Sequence, residues 1–176
     1  YSNPVGISLD YYNRFAGGEV VNNVIYDNDI VGVRISGTPF DSTMIVNNTI
    51  HSGVGTGVVI QGGAVGTVVR NNIIQTTAGI GISVDSLSQR GFDSDYNLLT
   101  AGPGGRVGVW QSVGRATLQN WRNATFTDQH SLSQDPLFVD ADPLSNTLVY
   151  NSPADDGRND DFHLRSTAGR FTGALA

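Results

Sequence analysis

The chain has 176 residues, a formal net charge of −6, ten arginines with no lysine, and no cysteine. An acidic surface argues against a nucleic-acid partner, whose phosphates demand a basic face, and the missing cysteines leave no disulfide evidence for or against secretion. Within these residues no apolar run approaches the roughly 20 needed for a membrane-spanning helix, and no basic-then-apolar leader pattern occurs.

In chain order the first recognisable element is Gly6, Ile7 and Leu9, a glycine followed by an apolar-x-apolar triplet. A longer cassette follows as Asn22-Asn23, Ile25, Gly32, Val33, Ile35, and recurs as Asn47-Asn48, Ile50, Gly57, Val58, Ile60. Its next copy is Asn71-Asn72, Ile74, Gly81, Ile82, Val84, with the same offsets from the second Asn. The glycines at 6, 32, 57 and 81 stand 26, 25 and 24 residues apart. One more step puts Asn97, Leu99, Val107 and Val109 on the pattern, with Tyr96 replacing the first Asn and Arg106 the Gly. Self-similarity at such a period marks a solenoid, and five turns are visible.

Side chains on a strand alternate faces, so Val33/Ile35, Val58/Ile60, Ile82/Val84 and Val107/Val109 each predict a short strand with two residues inward. Val20 and Ile25, Ile45 and Ile50, and Val69 and Ile74 are also apolar but lie five apart, an odd separation that a straight strand cannot bury on one face. The chain must bend at the Asn pair, where Asn tolerates the left-handed conformation. Stacked turn on turn, the amides would form a hydrogen-bonded ladder about 4.8 Å apart. Short β-branched strands between Gly, Asn, Thr and Ser, with no helical period before residue 110, predict a parallel β-helix. A leucine-rich repeat would need a Leu frame, and a β-sandwich would not keep so constant a register.

After the coils of 1–110, residues 111–176 are expected to form an irregular C-terminal capping region of the same domain. Ala116 to Ala124 suits a short helix and Asp161 to Leu164 a final strand. Trp110 and Trp121 flank that helix and suit packing over the coil end, or a sugar platform. A β-helix exposes sheet edges at both ends, and nothing before Gly6 could cap one. The expectation is therefore a segment of a longer protein, or one whose ends are covered by neighbours, including end-to-end copies.

The Asn-Asn-x-Ile and Gly-Val-x-Ile cassettes resemble the repeats of right-handed parallel β-helix proteins of the pectate-lyase-like superfamily, in their bacterial and archaeal extracellular branch. The later segments Ser94-Asp95-Tyr96-Asn97-Leu98, Trp121, His130-Ser131, Asp135-Pro136-Leu137-Phe138-Val139-Asp140 and Asp161-Phe162-His163-Leu164 resemble that group's terminal region. The resemblance implies a right-handed, all-β solenoid of about five coils of ~25 residues, and a secreted or cell-surface protein that meets polysaccharide. It leaves activity open, because the superfamily includes lyases, hydrolases, epimerases, adhesins and tailspikes.

The register sorts candidate site residues. Tyr26, His51, Gln75 and Thr100 share one column, where an aromatic ring, an imidazole and an amide suit a sugar ring, or His51 a general base. A plain polar wall is the alternative. Arg34 falls outward between Val33 and Ile35, and the resemblance implies that an Arg there abstracts a proton beside a uronate carboxylate. An exposed solubilising Arg is the other reading. Arg70 and Asp95 occupy one place in adjacent coils and are expected to pair, at about 1 kcal/mol or less on a surface. Asp155, Asp156, Asn159, Asp160 and Asp161 crowd a loop around Gly157, a hard-oxygen set that suits Ca2+ without the EF-hand spacing, or a solvated acidic turn. Three classes follow: a polysaccharide lyase or hydrolase, a glycan-binding surface module, and a structural or adhesive repeat of a fibre or surface layer.

Overall fold

A computed structural model describes residues 3–11, 17–37, 42–140 and 161–165. The first turn holds β1 (Val5–Tyr11), β2 (Glu19–Val21) and β3 (Val24–Ile25), and the second β4 (Val31–Gly37), β5 (Met44–Val46) and β6 (Thr49–Ser52). The third holds β7 (Thr56–Gln61), β8 (Val68–Arg70) and β9 (Ile73–Thr76), and the fourth β10 (Ile80–Val84), β11 (Asp93–Asp95) and β12 (Leu98–Ala101). There follow β13 (Arg106–Trp110), β14 (Val113–Arg115), helix α1 (Leu118–Thr125), β15 (Phe138–Asp140) and β16 (Asp161–Leu164).

Strands one turn apart pair in parallel and build three walls. The first runs β1-β4-β7-β10-β13, the second β2-β5-β8-β11 and the third β3-β6-β9-β12. The solenoid thus has about four complete turns plus one added strand on the first wall, rather than five full coils. The chain forms two compact units, 1–134 and 135–176. In the second, β15 and β16 pair antiparallel, with Phe138 edge-on to Phe162.

The core is the inward residues of the cassette. Val33, Ile35, Val58, Ile60, Ile82, Ile45, Ile50, Val69 and Ile74 are fully buried. Each full burial removes apolar surface worth about 1.5–3 kcal/mol from water. The bend between second and third walls lies at the Asn pair: Asn22, Asn47, Asn71 and Tyr96 have φ of 59°, 58°, 55° and 58°. The second Asn of each pair turns inward. The Oδ1 of Asn48 accepts from Asn23 N–H and Nδ2 at 3.0 Å each, and Asn72 Oδ1 accepts from Asn48 N–H and Nδ2 at 2.9 and 3.0 Å. Asn97 Oδ1 does the same for Asn72 at 2.9 and 3.2 Å.

Glycine stands second in β1, β4, β7 and β10 for a steric reason. A Cβ on Gly57 would stand 2.8 Å from the Gly81 carbonyl oxygen and 3.0 Å from Ile74 Cγ2, so the following coil leaves no room for one.

The fourth repeat slips by one residue. Ile82 stands opposite Gly108 and Val84 opposite Trp110, so Val109 faces outward and Trp110 inward, contrary to the expected Val107/Val109 pair. The cause is the connection before β13, four residues long (102–105), where the two preceding coils use three (53–55 and 77–79). Gly108 then stands where a core side chain belongs, and the ring of Trp121 fills the space.

Helix α1 carries that ring. Thr117 caps its start by accepting from Asn120 N–H at 3.1 Å, and Leu118 and Trp121 form its buried face. Trp121 packs edge-on against Trp110 and Phe92 at 6.1 and 6.2 Å, closing the coil end. Meanwhile β14 folds back antiparallel on β13 and covers that sheet edge. The amide ladder ends on the fully buried Asp128 and on Ser131: Asn97 Nδ2 donates to Asp128 Oδ1 at 3.0 Å and Asn97 N–H to Ser131 Oγ at 2.8 Å. Trp121 Nε1 donates to the other Asp128 oxygen at 2.7 Å, which ties the helix to the ladder's end.

Replacing Asn72 by Leu should destabilise the fold by about 3 kcal/mol or more in urea unfolding, since Asn48 loses the acceptor for two buried donors. Gly108→Val should expel the Trp121 ring and shift tryptophan emission to longer wavelength. An unshifted spectrum would contradict the packing described.

Candidate functional site

The expected column is present in the register: His51 stands opposite Gln75, and Gln75 opposite Thr100, with Tyr26 just beyond β3. It is not an open wall. His51 is 7% exposed, and Tyr26, Gln75 and Thr100 are half-buried. Burial lowers the His51 pKa, opposed by the negative charge of Asp27. The imidazole is therefore held neutral and largely shielded from solvent.

Arg34 lies in the outward column with Ser8, Val59, Ser83 and, because of the slip, Val109 rather than Gly108. Its Nε donates to Ser8 Oγ at 3.0 Å and its Nη2 to Asp10 Oδ2 at 3.3 Å, while Ser8 donates to the same Asp10 oxygen at 2.7 Å. The guanidinium is thus engaged with the preceding coil.

Arg70 does stand opposite Asp95, yet its ion pair goes diagonally to Asp93, through Nε at 3.0 Å and Nη2 at 2.6 Å. Asp95 is committed elsewhere. Its Oδ1 accepts from the N–H groups of Tyr96 and His130 at 2.9 and 2.8 Å, and its Oδ2 meets His130 Nδ1 at 2.7 Å. Burial pushes the Asp95 carboxyl up, but the bonds from the His130 ring, the His130 N–H and the Tyr96 N–H together outweigh it and hold it below its ordinary value.

That carboxylate anchors a feature outside the column of Tyr26, His51, Gln75 and Thr100. Tyr96 is 53% exposed, and its ring lies flat on His130 with centroids 4.9 Å apart and planes 7° from parallel. The pair borders an open groove of about 410 Å³, with Asn71, Leu98 and Leu132 also on its lining. Asn22, Asn47 and Asn71 lead up to it as an exposed column along the corner. Local sequence carried two signals, the Tyr in place of Asn at 96 and the isolated His130. What joins them is the return of the chain at 128–132, where Leu132 bonds Asn97 and Leu99 as a short extra rung.

Of the calcium candidates, Asp161 accepts from His163 within the second unit, and Asp155, Asp156, Asn159 and Asp160 lie outside the described residues. Among the described residues no group of three or more acidic, His or Cys side chains could hold a metal ion, and no helix is long and apolar enough to cross a membrane.

Parallel walls, an inward amide ladder and a capped coil end define a β-solenoid. The family described as right handed beta helix region matches residues 1–123, and the chain belongs to it. No curated protein and no solved structure matches.

Two pH effects of the same sign, in different pH ranges, follow. The buried His51 binds protons less readily folded than unfolded, so stability falls as pH drops below the unfolded value near 6.5, down to its lowered folded value. His51→Gln should flatten that part of a plot of unfolding midpoint against pH. The lowered Asp95 carboxyl contributes fully above about pH 4, and that contribution is lost as pH falls through its folded value. Asp95→Asn should reduce the acid limb, to which the lowered Asp85 carboxyl also contributes, while leaving the His51 limb in place.

Proposed function

We propose that the chain is a secreted or cell-surface β-helix module that holds polysaccharide without cleaving it. The carrying observation is the exposed Tyr96–His130 stack at the head of the Asn22, Asn47 and Asn71 column. An aromatic face suits the apolar face of a sugar, and flanking amides suit its hydroxyls. The outer faces of the two rings offer the platform, and the Asp95 carboxylate fixes the imidazole that backs it.

The residues nominated for catalysis support binding over bond cleavage. A general base must reach its proton, and His51 is buried. Proton abstraction beside a uronate needs an unencumbered cation, and Arg34 is tied to Asp10 and Ser8. The alternative of a structural repeat stacking end to end meets an obstacle at the C-terminal end of the coils. There β14, α1 and residues 128–132 occupy the positions a following copy would need.

Retention on immobilised pectate, alginate and chondroitin should fall about five- to tenfold in Tyr96→Ala, the scale of a lost aromatic contact. Absorbance from unsaturated uronate should stay flat with all three. A rising signal would make the protein a lyase and defeat the non-cleaving reading.

A further inference from the structure

The groove beside Tyr96 and His130 has an apolar side. Ile73 stands opposite Leu98 on neighbouring rungs, and Leu98 bridges to Leu132 on the return at 128–132. All three lie on the groove's lining, with Leu132 56% exposed and Ile73 and Leu98 half-buried. Rungs lie about 4.8 Å apart, so these side chains form a continuous strip next to the corner that carries Asn71 and Tyr96. A single exposed leucine needs no explanation; an apolar strip along an aromatic platform does.

Charge is the second observation, made independently. Among the described residues no arginine lines the groove. The arginines nearest to it in sequence are engaged, Arg70 with Asp93 and Arg122 with the carbonyls of Asp128 and Ser131. Behind the stack stands the Asp95 carboxylate, in a chain of net charge −6. An acidic sugar would bring its own carboxylate towards Asp95 with no cation on the lining to receive it.

The cation without a carboxylate lies elsewhere. A second cavity of about 550 Å³, at the coil end among the β13–β14 turn, β14 and α1, carries Arg115 and Phe126 and shares no lining residue with the groove. The ion pairs among the described residues engage Arg34 and Arg70, and none engages Arg115. Positive charge and the aromatic platform of the groove are therefore kept apart.

We infer that the groove selects an uncharged sugar that carries an acetamido group. The sugar ring lies on the Tyr96 face, and the acetamido methyl lies on the Leu98–Leu132 strip. The Asn71 side chain, exposed at the corner, offers an amide donor and acceptor to the acetamido C=O and N–H. The inference rests on the reading that the module holds polysaccharide, and names the kind of sugar that the groove takes.

The test is calorimetric titration with N-acetylglucosamine, glucose and galacturonate oligomers of equal length. The acetamido oligomer should bind best, with the glucose oligomer about five- to tenfold weaker, the scale of one buried methyl group and a hydrogen bond. Galacturonate should bind weakest at low salt and gain as salt screens Asp95. Leu132→Ser should erase the preference for the acetamido oligomer and leave the glucose oligomer unaffected; the Leu132 side chain is exposed and outside the core, so the coil end stays folded. Arg115→Gln should change none of the three affinities. A preference that survives Leu132→Ser, or galacturonate binding tightest, would overturn the assignment. If acetamido and glucose oligomers bind equally and both depend on Tyr96, the inference falls and the polysaccharide reading stands. If no oligomer binds the wild-type chain, both fall.

Discussion

The amide ladder at the corner between second and third walls is the constraint on which the coil stack depends. A buried amide without partners costs about 1–3 kcal/mol per orphaned group. Asn48 and Asn72 are each 1% exposed, so water cannot satisfy them. Each receives the donors of the coil before it and donates to the coil after it. No coil is therefore complete by itself, and the bend, the strand register and the burial of the cassette's isoleucines follow from that mutual dependence.

A ladder that must be satisfied must also be ended. Asp128 and Ser131 accept from Asn97 where a further Asn would otherwise stand. The same Asp128 carboxylate accepts from Trp121 Nε1, and Arg122 donates to the carbonyls of Asp128 and Ser131. Polar termination and aromatic capping are thus one device. It positions α1, and with it the Phe126 edge of the terminal cavity, while the return at 128–132 brings His130 onto Tyr96.

Both places with capacity for chemistry lie where the repeat is broken. Within the regular coils, inward positions are filled by aliphatic residues, by the ladder asparagines and by small hydroxyl residues, and the arginines at 34 and 70 are ion-paired between neighbouring coils. Tyr96 interrupts the corner asparagines, and the longer connection at 102–105 shifts the register and leads into the terminal hairpin. Regularity satisfies local interactions and leaves little over; departures from it leave exposed rings and an unpaired guanidinium.

The sequence by itself determined the solenoid, its inward positions, the left-handed bend and the ladder, because each is a local rule repeated at constant offset and repetition exposes the rule. It also showed that a helix near Trp121 would cover the coil end. Tertiary structure decided what depends on the reach of a side chain or the length of a connection. One extra residue put Trp110 inward in place of Val109, and Asp93 took Arg70 because His130, 35 residues along the chain, had taken Asp95. His51 sits in the column its register assigns, yet it is buried, since parity gives the direction of a side chain and not the depth of what covers it. The groove and the terminal cavity are long-range meetings of residues from 71 to 132 and 111 to 126, which no periodicity encodes.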